Sequence, residues 1–214
     1  MFTCKFTRTL TLGAMLMGWA TTGWSQVTVL TFEGLQDNQE IGDYYNGGGG
    51  GDYGISFMPG ALALIGQAGG GGGNFAGGSS GTTIAYFVEG GSAVMNVAAG
   101  FTTGFSFYYA AFEPGTVTVY SGSNATGTVL GSFDLPRTVF GESVLGWDPI
   151  GVEFTGLAYS VSFGGAENKI GFDDITLGSA VAGGSPIPEP STYALVLGAS
   201  ALLGVGLWRR RTAS

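Results

Sequence analysis

The chain has 214 residues, enough for one ordinary domain with stretches left over at both ends. With 44% apolar residues, 13% aromatics and 42 glycines in no triplet repeat, it is neither disordered nor collagen-like, and the glycines belong to turns and loops. Histidine is absent and the one cysteine is Cys4, which removes the usual zinc ligands, disulfides and nucleophile-activating bases from the rest of the chain. Between Val27 and Ala180 only Arg137 and Lys169 stand against fourteen acids, a net charge of −12 that argues against nucleic acid as a partner and makes calcium the natural cation to test.

The N-terminus carries Lys5 and Arg8, then the apolar run Leu10 to Trp19, then a small and polar stretch to Gln26. This is the layout of a secretory signal, with Gly23 and Ser25 at the −3 and −1 positions for cleavage before Gln26. Residues 1–25 are therefore expected to be a signal peptide, handled by the Sec translocon and signal peptidase. The apolar run falls short of the roughly 20 residues that a membrane span needs.

From residue 26 to 180 short apolar or alternating runs are separated by Gly, Asn, Asp and Ser clusters, the pattern of strands and turns. Strands are predicted at 27–32, 54–58, 62–65, 82–88, 93–97, 103–109, 116–120, 129–135, 151–154, 159–163 and 169–177. Alternation is clearest at Phe105, Phe107 and Tyr109, at Val117 and Val119, and at Tyr159, Val161 and Phe163. The expected fold is all-β, an antiparallel β-sandwich of the jelly-roll kind. The glycine runs at 47–51 and 69–73 precede neither Lys-Ser/Thr nor a helix start, so they are loops rather than phosphate cradles. The Asn124-Ala125-Thr126 sequon reads as turn chemistry.

After a glycine-rich piece comes Pro186-Ile187-Pro188-Glu189-Pro190, extended because each residue before a proline avoids the helical region. Residues 181–192 thus form a linker holding the Pro188, Glu189, Pro190 motif. Residues 193–208 are uncharged with aromatics at both borders, and Arg209, Arg210 and Arg211 follow as a basic stop within the tail 209–214. Sixteen helical residues reach about 24 Å, short of the ~30 Å hydrocarbon core, a length suited to a temporary anchor. A permanent single-span anchor is the alternative.

This tail resembles that of the PEP-CTERM proteins of Gram-negative bacteria: a Pro-Glu-Pro motif, a hydrophobic helix and an arginine cluster, in that order. The resemblance implies recognition by an exosortase, removal of the helix near the motif, and delivery to the cell surface or exterior among exopolysaccharide and biofilm matrix. The chain is then anchored in the membrane only transiently, through its C-terminal helix. Two further stretches, Leu30-Thr31-Phe32-Glu33-Gly34-Leu35 with the segment that follows, and Ile170-Gly171-Phe172-Asp173-Asp174-Ile175-Thr176-Leu177, resemble calcium-containing carbohydrate-binding jelly rolls. That resemblance implies neighbouring first and last strands with a structural Ca2+ held by acids there.

Calcium takes six to eight oxygen ligands, and Glu33, Asp43, Asn46, Asp52, Asp173 and Asp174 are the candidate donors. Simple alternation sends Asp173 and Asp174 to opposite faces and groups Asp173 with Ile175 and Leu177. Glu33 and Asp173 are therefore the leading metal ligands, with Asp43 and Asn46 behind them. The alternative is that all are solvated turn residues.

No enzyme is expected. Catalysis here has to rest on carboxylates alone, as in a glycosidase, with Glu113, Glu142, Asp148, Glu153 and Glu167 available. Tyr44, Tyr45, Tyr53, Tyr108 and Trp147 are candidate sugar-stacking rings. The reading is an exported, exosortase-sorted surface or matrix protein with a structural or adhesive role. A module binding exopolysaccharide is the alternative and a carboxylate glycosidase the third reading.

Overall fold

The computed structural model describes residues 26–72, 74–88, 92–141, 144 and 146–184. The segment 1–25, Glu142, the Pro188-Glu189-Pro190 motif, the apolar run 193–208 and Arg209, Arg210 and Arg211 lie outside the described residues. Among the described residues no helix is long and apolar enough to cross a membrane.

Ten strands carry the described chain: β1 (Thr28–Leu30), β2 (Tyr45–Gly48), β3 (Gly51–Phe57), β4 (Ala61–Ile65), β5 (Thr83–Phe87), β6 (Ser92–Ala111), β7 (Gly115–Tyr120), β8 (Val129–Leu135), β9 (Asp148–Gly165) and β10 (Ile170–Leu177). All pairings between them are antiparallel. Two of them, β6 and β9, are long and run through both layers of a sandwich. The second half of β6 and the first half of β9 extend the layer β4-β5-β10, while their other halves join β3, β7 and β8. Each turns the corner on left-handed residues, Gly100 (φ 70°) and Thr103 (φ 74°) in β6 and Gly156 (φ 108°) in β9, the kind of bend by which a strand changes sheets.

Period-two alternation fills the space between the layers. Phe105, Phe107 and Tyr109 from β6 and Phe172 from β10 meet Val117, Val119, Phe133, Val161 and Phe163 from the other layer, all buried. These rings form one continuous aromatic cluster, with Phe107 5.4–6.2 Å from Phe133, Phe163 and Tyr109. Edge-to-face pairs of this kind add to the burial of apolar area.

Every residue of β10 is buried, so both faces of this central strand are covered. On the outer face a second cluster of Phe75, Ile84, Ala110, Val139 and Val144 closes over it, with Trp147 stacked on Phe75 at 5.8 Å. Gly171 permits this approach, because a Cβ there would run into the Phe75 ring and Ile84. Past β10, residues 179–184 lie on the sheet. Ser106 Oγ donates to the Ser179 carbonyl at 2.9 Å and the Gly183 amide to Thr176 Oγ1 at 3.0 Å. The glycine-rich piece before the tail is thus hydrogen-bonded to the domain as far as Gly183.

The predicted segments 93–97 and 103–109 are one strand, as are 151–154 and 159–163, and β2 was not anticipated.

Candidate functional site: an acidic seam beside the last strand

Along one edge β10 pairs with β6 throughout, but along the other it changes partner. Gly171 and Phe172 pair with β5, whereas residues 175–177 pair with β1. Asp173 and Asp174 fall in the gap between the pairing with β5, which stops at Phe172, and the pairing with β1, which starts at Ile175. A β-bulge occupies the same place: Asp173 pairs with Tyr108 and Thr176 with Ser106, leaving one extra residue in β10. Asp174 absorbs it at φ 47°, a left-handed conformation that Asp tolerates better than most residues.

The bulge corrects the expectation from simple alternation. Asp173 shares its face with Thr176 rather than with Ile175 and Leu177, and the two carboxylates do not diverge. Both converge on the loop before β5. Ser79 Oγ lies 2.9 Å from Asp173 Oδ2 and 2.9 Å from Asp174 Oδ2. The Ser80 amide donates to Asp173 Oδ2 at 2.9 Å, Ser80 Oγ to Asp174 Oδ1 at 2.6 Å, and the Asp174 amide to Asp173 Oδ1 at 2.8 Å. Gly78 allows the contact, since a Cβ there would meet the Asp173 carboxylate and the Ser80 carbonyl.

Glu33 reaches the same loop from the other side. Its Oε1 accepts the amides of Thr82 at 2.8 Å and Thr83 at 2.7 Å, the residues that open β5. The carboxylate therefore satisfies backbone donors at the seam. Glu33 follows Phe32, itself left-handed at φ 62°, whose amide donates to the Tyr45 hydroxyl at 2.7 Å. Tyr44 donates from its hydroxyl to the Glu33 carbonyl at 2.8 Å.

The electrostatics follow from burial. Asp173, with none of its surface exposed, has its pKa pushed up to about 7, chiefly by desolvation and further by the Asp174 charge, against the pull of the Ser80 and Asp174 amides and Ser79. Tyr45 is held well above the ordinary phenol value, first by burial and then by the neighbouring Tyr44, Asp173 and Glu33. Ser79 has one hydroxyl hydrogen and two carboxylate oxygens at equal distance. The hydrogen can serve Asp174 Oδ2, because Asp173 Oδ2 also accepts the Ser80 amide. Replacing Tyr45 by Phe removes the acceptor for a buried amide, and the expected loss is about 1–3 kcal/mol of stability, read as a lower urea midpoint at unchanged slope.

Of the four predicted metal ligands, Glu33 and Asp173 meet at this loop, while Asp43 and Asn46 lie exposed at the start of the β2–β3 hairpin, where Asn46 Nδ2 donates to Asp43 Oδ1 at 3.1 Å. Asp52 pairs with Asn46 in the same hairpin. Asp174, also among the candidate donors, completes the seam with Ser79 and Ser80, which period-two reasoning does not find. Among the described residues no group of three or more His, Cys, Asp or Glu side chains stands ready to hold a metal. An ion bound here therefore draws part of its shell from serine hydroxyls, carbonyls and water.

Of the candidate rings, Tyr45 is buried, Trp147 is stacked on Phe75 and donates to the Gly77 carbonyl at 3.1 Å, and Tyr44 and Tyr108 are half-buried. Tyr53 is largely exposed. The acids Glu113, Asp148, Glu153 and Glu167 are exposed on turns or strands away from the seam.

No curated protein matches the sequence. Residues 186–211 match the PEP-CTERM protein-sorting motif. In three dimensions the chain is similar to the K2 cleaved adhesin domain of Lys-gingipain from Porphyromonas gingivalis, at 14% identity and a TM-score of 0.50, covering 72% of this chain and 99% of that one. Weaker similarity extends to a family 6 carbohydrate-binding module of Clostridium stercorarium in complex with cellobiose (15% identity, TM-score 0.39, 71% of this chain and 93% of that one). A family 29 carbohydrate-binding module is similar at 12% identity and a TM-score of 0.43, over 76% of this chain and 99% of that one. The chain is thus an antiparallel β-sandwich of the jelly-roll kind that carries a PEP-CTERM protein-sorting motif at residues 186–211, which marks it for export and sorting to the cell envelope.

Proposed function

We propose that this protein is an exosortase substrate whose β-sandwich serves a structural or adhesive role at the cell surface or in the extracellular matrix. The observation that carries this reading is the adjacency of domain and address. Hydrogen bonding to the sandwich extends as far as Gly183, a local turn follows at Gly184, and the sorting motif begins at Pro186. The nine residues from Ser185 to Tyr193 reach about 30 Å when extended, so the folded domain stays beside the membrane until the tail is cut. The fold it shares with an adhesin domain supports the adhesive side of the reading. The test is the intact mass of the protein recovered from whole cells. A form ending near Pro188-Glu189-Pro190 is expected, and replacing the three residues with Ala leaves the full-length chain in the membrane fraction. An intact arginine tail on the native protein would make the segment a permanent anchor and overturn the sorting step.

At the seam, Asp173 and Asp174 are the carboxylates that would hold a structural calcium, with serine hydroxyls, carbonyls and water completing the shell, while Glu33, the other leading candidate, is engaged by the Thr82 and Thr83 amides. The donor set is all oxygen and suits a hard cation, and the convergence of Asp173 Oδ2 and Asp174 Oδ2 on Ser79 brings the two carboxylates together there. Bound there, calcium would tie the end of β10 to the loop that opens β5. Asp43 and Asn46, joined to each other in the exposed hairpin, have weaker support as ligands.

A second reading, a module that binds exopolysaccharide, is favoured by one observation: a small recess on the outer face whose walls combine aromatic rings with amides and an amine. No catalytic role is assigned.

A further inference from the structure

At the end of the outer face, between β5, the end of β6 and the β9–β10 turn, lies a recess of about 250 Å³, apart from the acidic seam, floored by the edge of the second core cluster at Phe75. Phe75, Tyr86 and Phe112 supply its rings, and Asn74, Asn168 and Lys169 supply its polar groups. We propose that this recess binds a carboxylated pyranose, a uronate-type residue of a polysaccharide. The proposal rests on the glycan-binding reading above and gives it a site and a sugar class.

The size is below the roughly 300–1,000 Å³ of sites that enclose a drug-sized molecule, and suits one sugar ring of a longer chain. A pyranose presents an apolar C–H face and a rim of hydroxyls. Aromatic walls take the first and side-chain amides the second. The walls are set in place beforehand, which lowers the ordering cost of binding. Tyr86 donates from its hydroxyl to Asn38 Oδ1 at 2.7 Å, and Phe75 meets Phe112 edge to face at 6.1 Å. The turn is fixed by the amides of Phe112, donating to the Lys169 carbonyl at 2.8 Å, and of Asn168, donating to the Phe87 carbonyl at 3.0 Å.

Charge selects the acid sugar. Lys169 is one of two basic residues set against fourteen acids between Val27 and Ala180, and it lies on a recess with no acid in its lining. Asp37, whose charge reaches Tyr86, is already engaged, its Oδ1 by the Ile65 amide at 2.9 Å and its Oδ2 by Asn38 Nδ2 at 2.9 Å. An ammonium facing a sugar carboxylate makes a charge-assisted hydrogen bond, stronger than the neutral bond to a hydroxyl. The wider groove of about 750 Å³ beside Pro114 and Pro136 has Asp134 and no ring in its wall, and offers neither element.

The test is an NMR titration of the isotopically labelled, purified protein with glucuronate, glucose and acetate, alongside co-sedimentation with an acidic exopolysaccharide. Glucuronate is expected to give saturable shifts at Asn74, Tyr86, Phe112 and Lys169, with glucose about tenfold weaker, the worth of one charge-assisted bond. Lys169→Met, at an exposed side chain, removes that preference at unchanged melting temperature, and Lys169→Arg restores it. Glucose binding as tightly as glucuronate overturns the sugar class. Acetate reproducing the glucuronate shifts reduces the site to a bare anion contact and overturns it as well. Polysaccharide binding that survives Lys169→Met, or shifts that map elsewhere, overturn this recess while leaving the glycan reading standing. Absence of binding to every probe removes both.

Discussion

In excess EDTA the melting temperature of the purified protein is expected to fall as pH rises from about 4 to about 7, and added calcium is expected to restore it at neutral pH. The sign follows from Asp173, whose pKa burial pushes up to about 7 from the ordinary aspartate value of 3.8. Between those values the folded protein binds a proton that the unfolded chain has released. Stability from this group is complete below the unfolded value and is lost as pH climbs through the folded one. The upper limit is about 4 kcal/mol at 1.36 kcal/mol per pKa unit, roughly 10 °C in melting temperature for a domain of this size. A divalent ion between Asp173 and Asp174 replaces the proton without the pH penalty, so calcium and high pH become compatible. Asp173→Asn separates the effects, since the amide cannot ionise and is a poorer ligand. That variant is expected to show a flat profile over the same range and no response to calcium. Equal melting of the native protein in calcium and EDTA at pH 7.5 would remove the ion, and a flat native profile in EDTA would remove the raised carboxyl.

The seam also marks where sequence reasoning stops. Alternation alone locates the core: Phe105, Phe107, Tyr109, Val117, Val119, Val161 and Phe163 are all buried, because a half-buried strand must repeat with period two. The same rule misplaces Asp173, because one extra residue in β10 reverses the phase after it, and no local signal distinguishes a bulge at Asp174 from an ordinary acidic strand residue. Gly100 and Gly156 misled in the opposite way. Each reads as a turn between two short strands, yet each is a bend within one long strand that serves both sheets. Whether a left-handed residue ends a strand or curves it depends on partners far away in sequence, here Phe101 with Ala158 and Thr103 with Phe154. β2 was missed because Tyr45-Asn46-Gly47-Gly48 has turn composition, and only pairing with β3 makes it a strand. Ser79 and Ser80 carry no sequence signal, because their role is set by carboxylates more than ninety residues away.

Phe107→Ala is expected to cost about 3–5 kcal/mol, a large share of the roughly 5–15 kcal/mol by which a domain is stable. Phe107 is wholly buried, and its ring meets Phe105, Tyr109, Phe133, Phe163 and Phe172 at centroid distances of 5.4–6.2 Å. It bridges both layers, since Phe133 and Phe163 belong to one sheet and Phe105, Tyr109 and Phe172 to the other. Close-packed rings cannot collapse into the space left by truncation, so most of the cavity persists. The sequence supplies no covalent reserve, because its single cysteine is Cys4. Phe140 is the control: it is 81% exposed, its ring lies 5.2 Å from the Arg137 guanidinium, and its truncation is expected to stay within about 0.5 kcal/mol. Urea midpoints of the two variants measure the difference. Comparable losses at the two positions would mean that stability does not reside in the rings between the sheets.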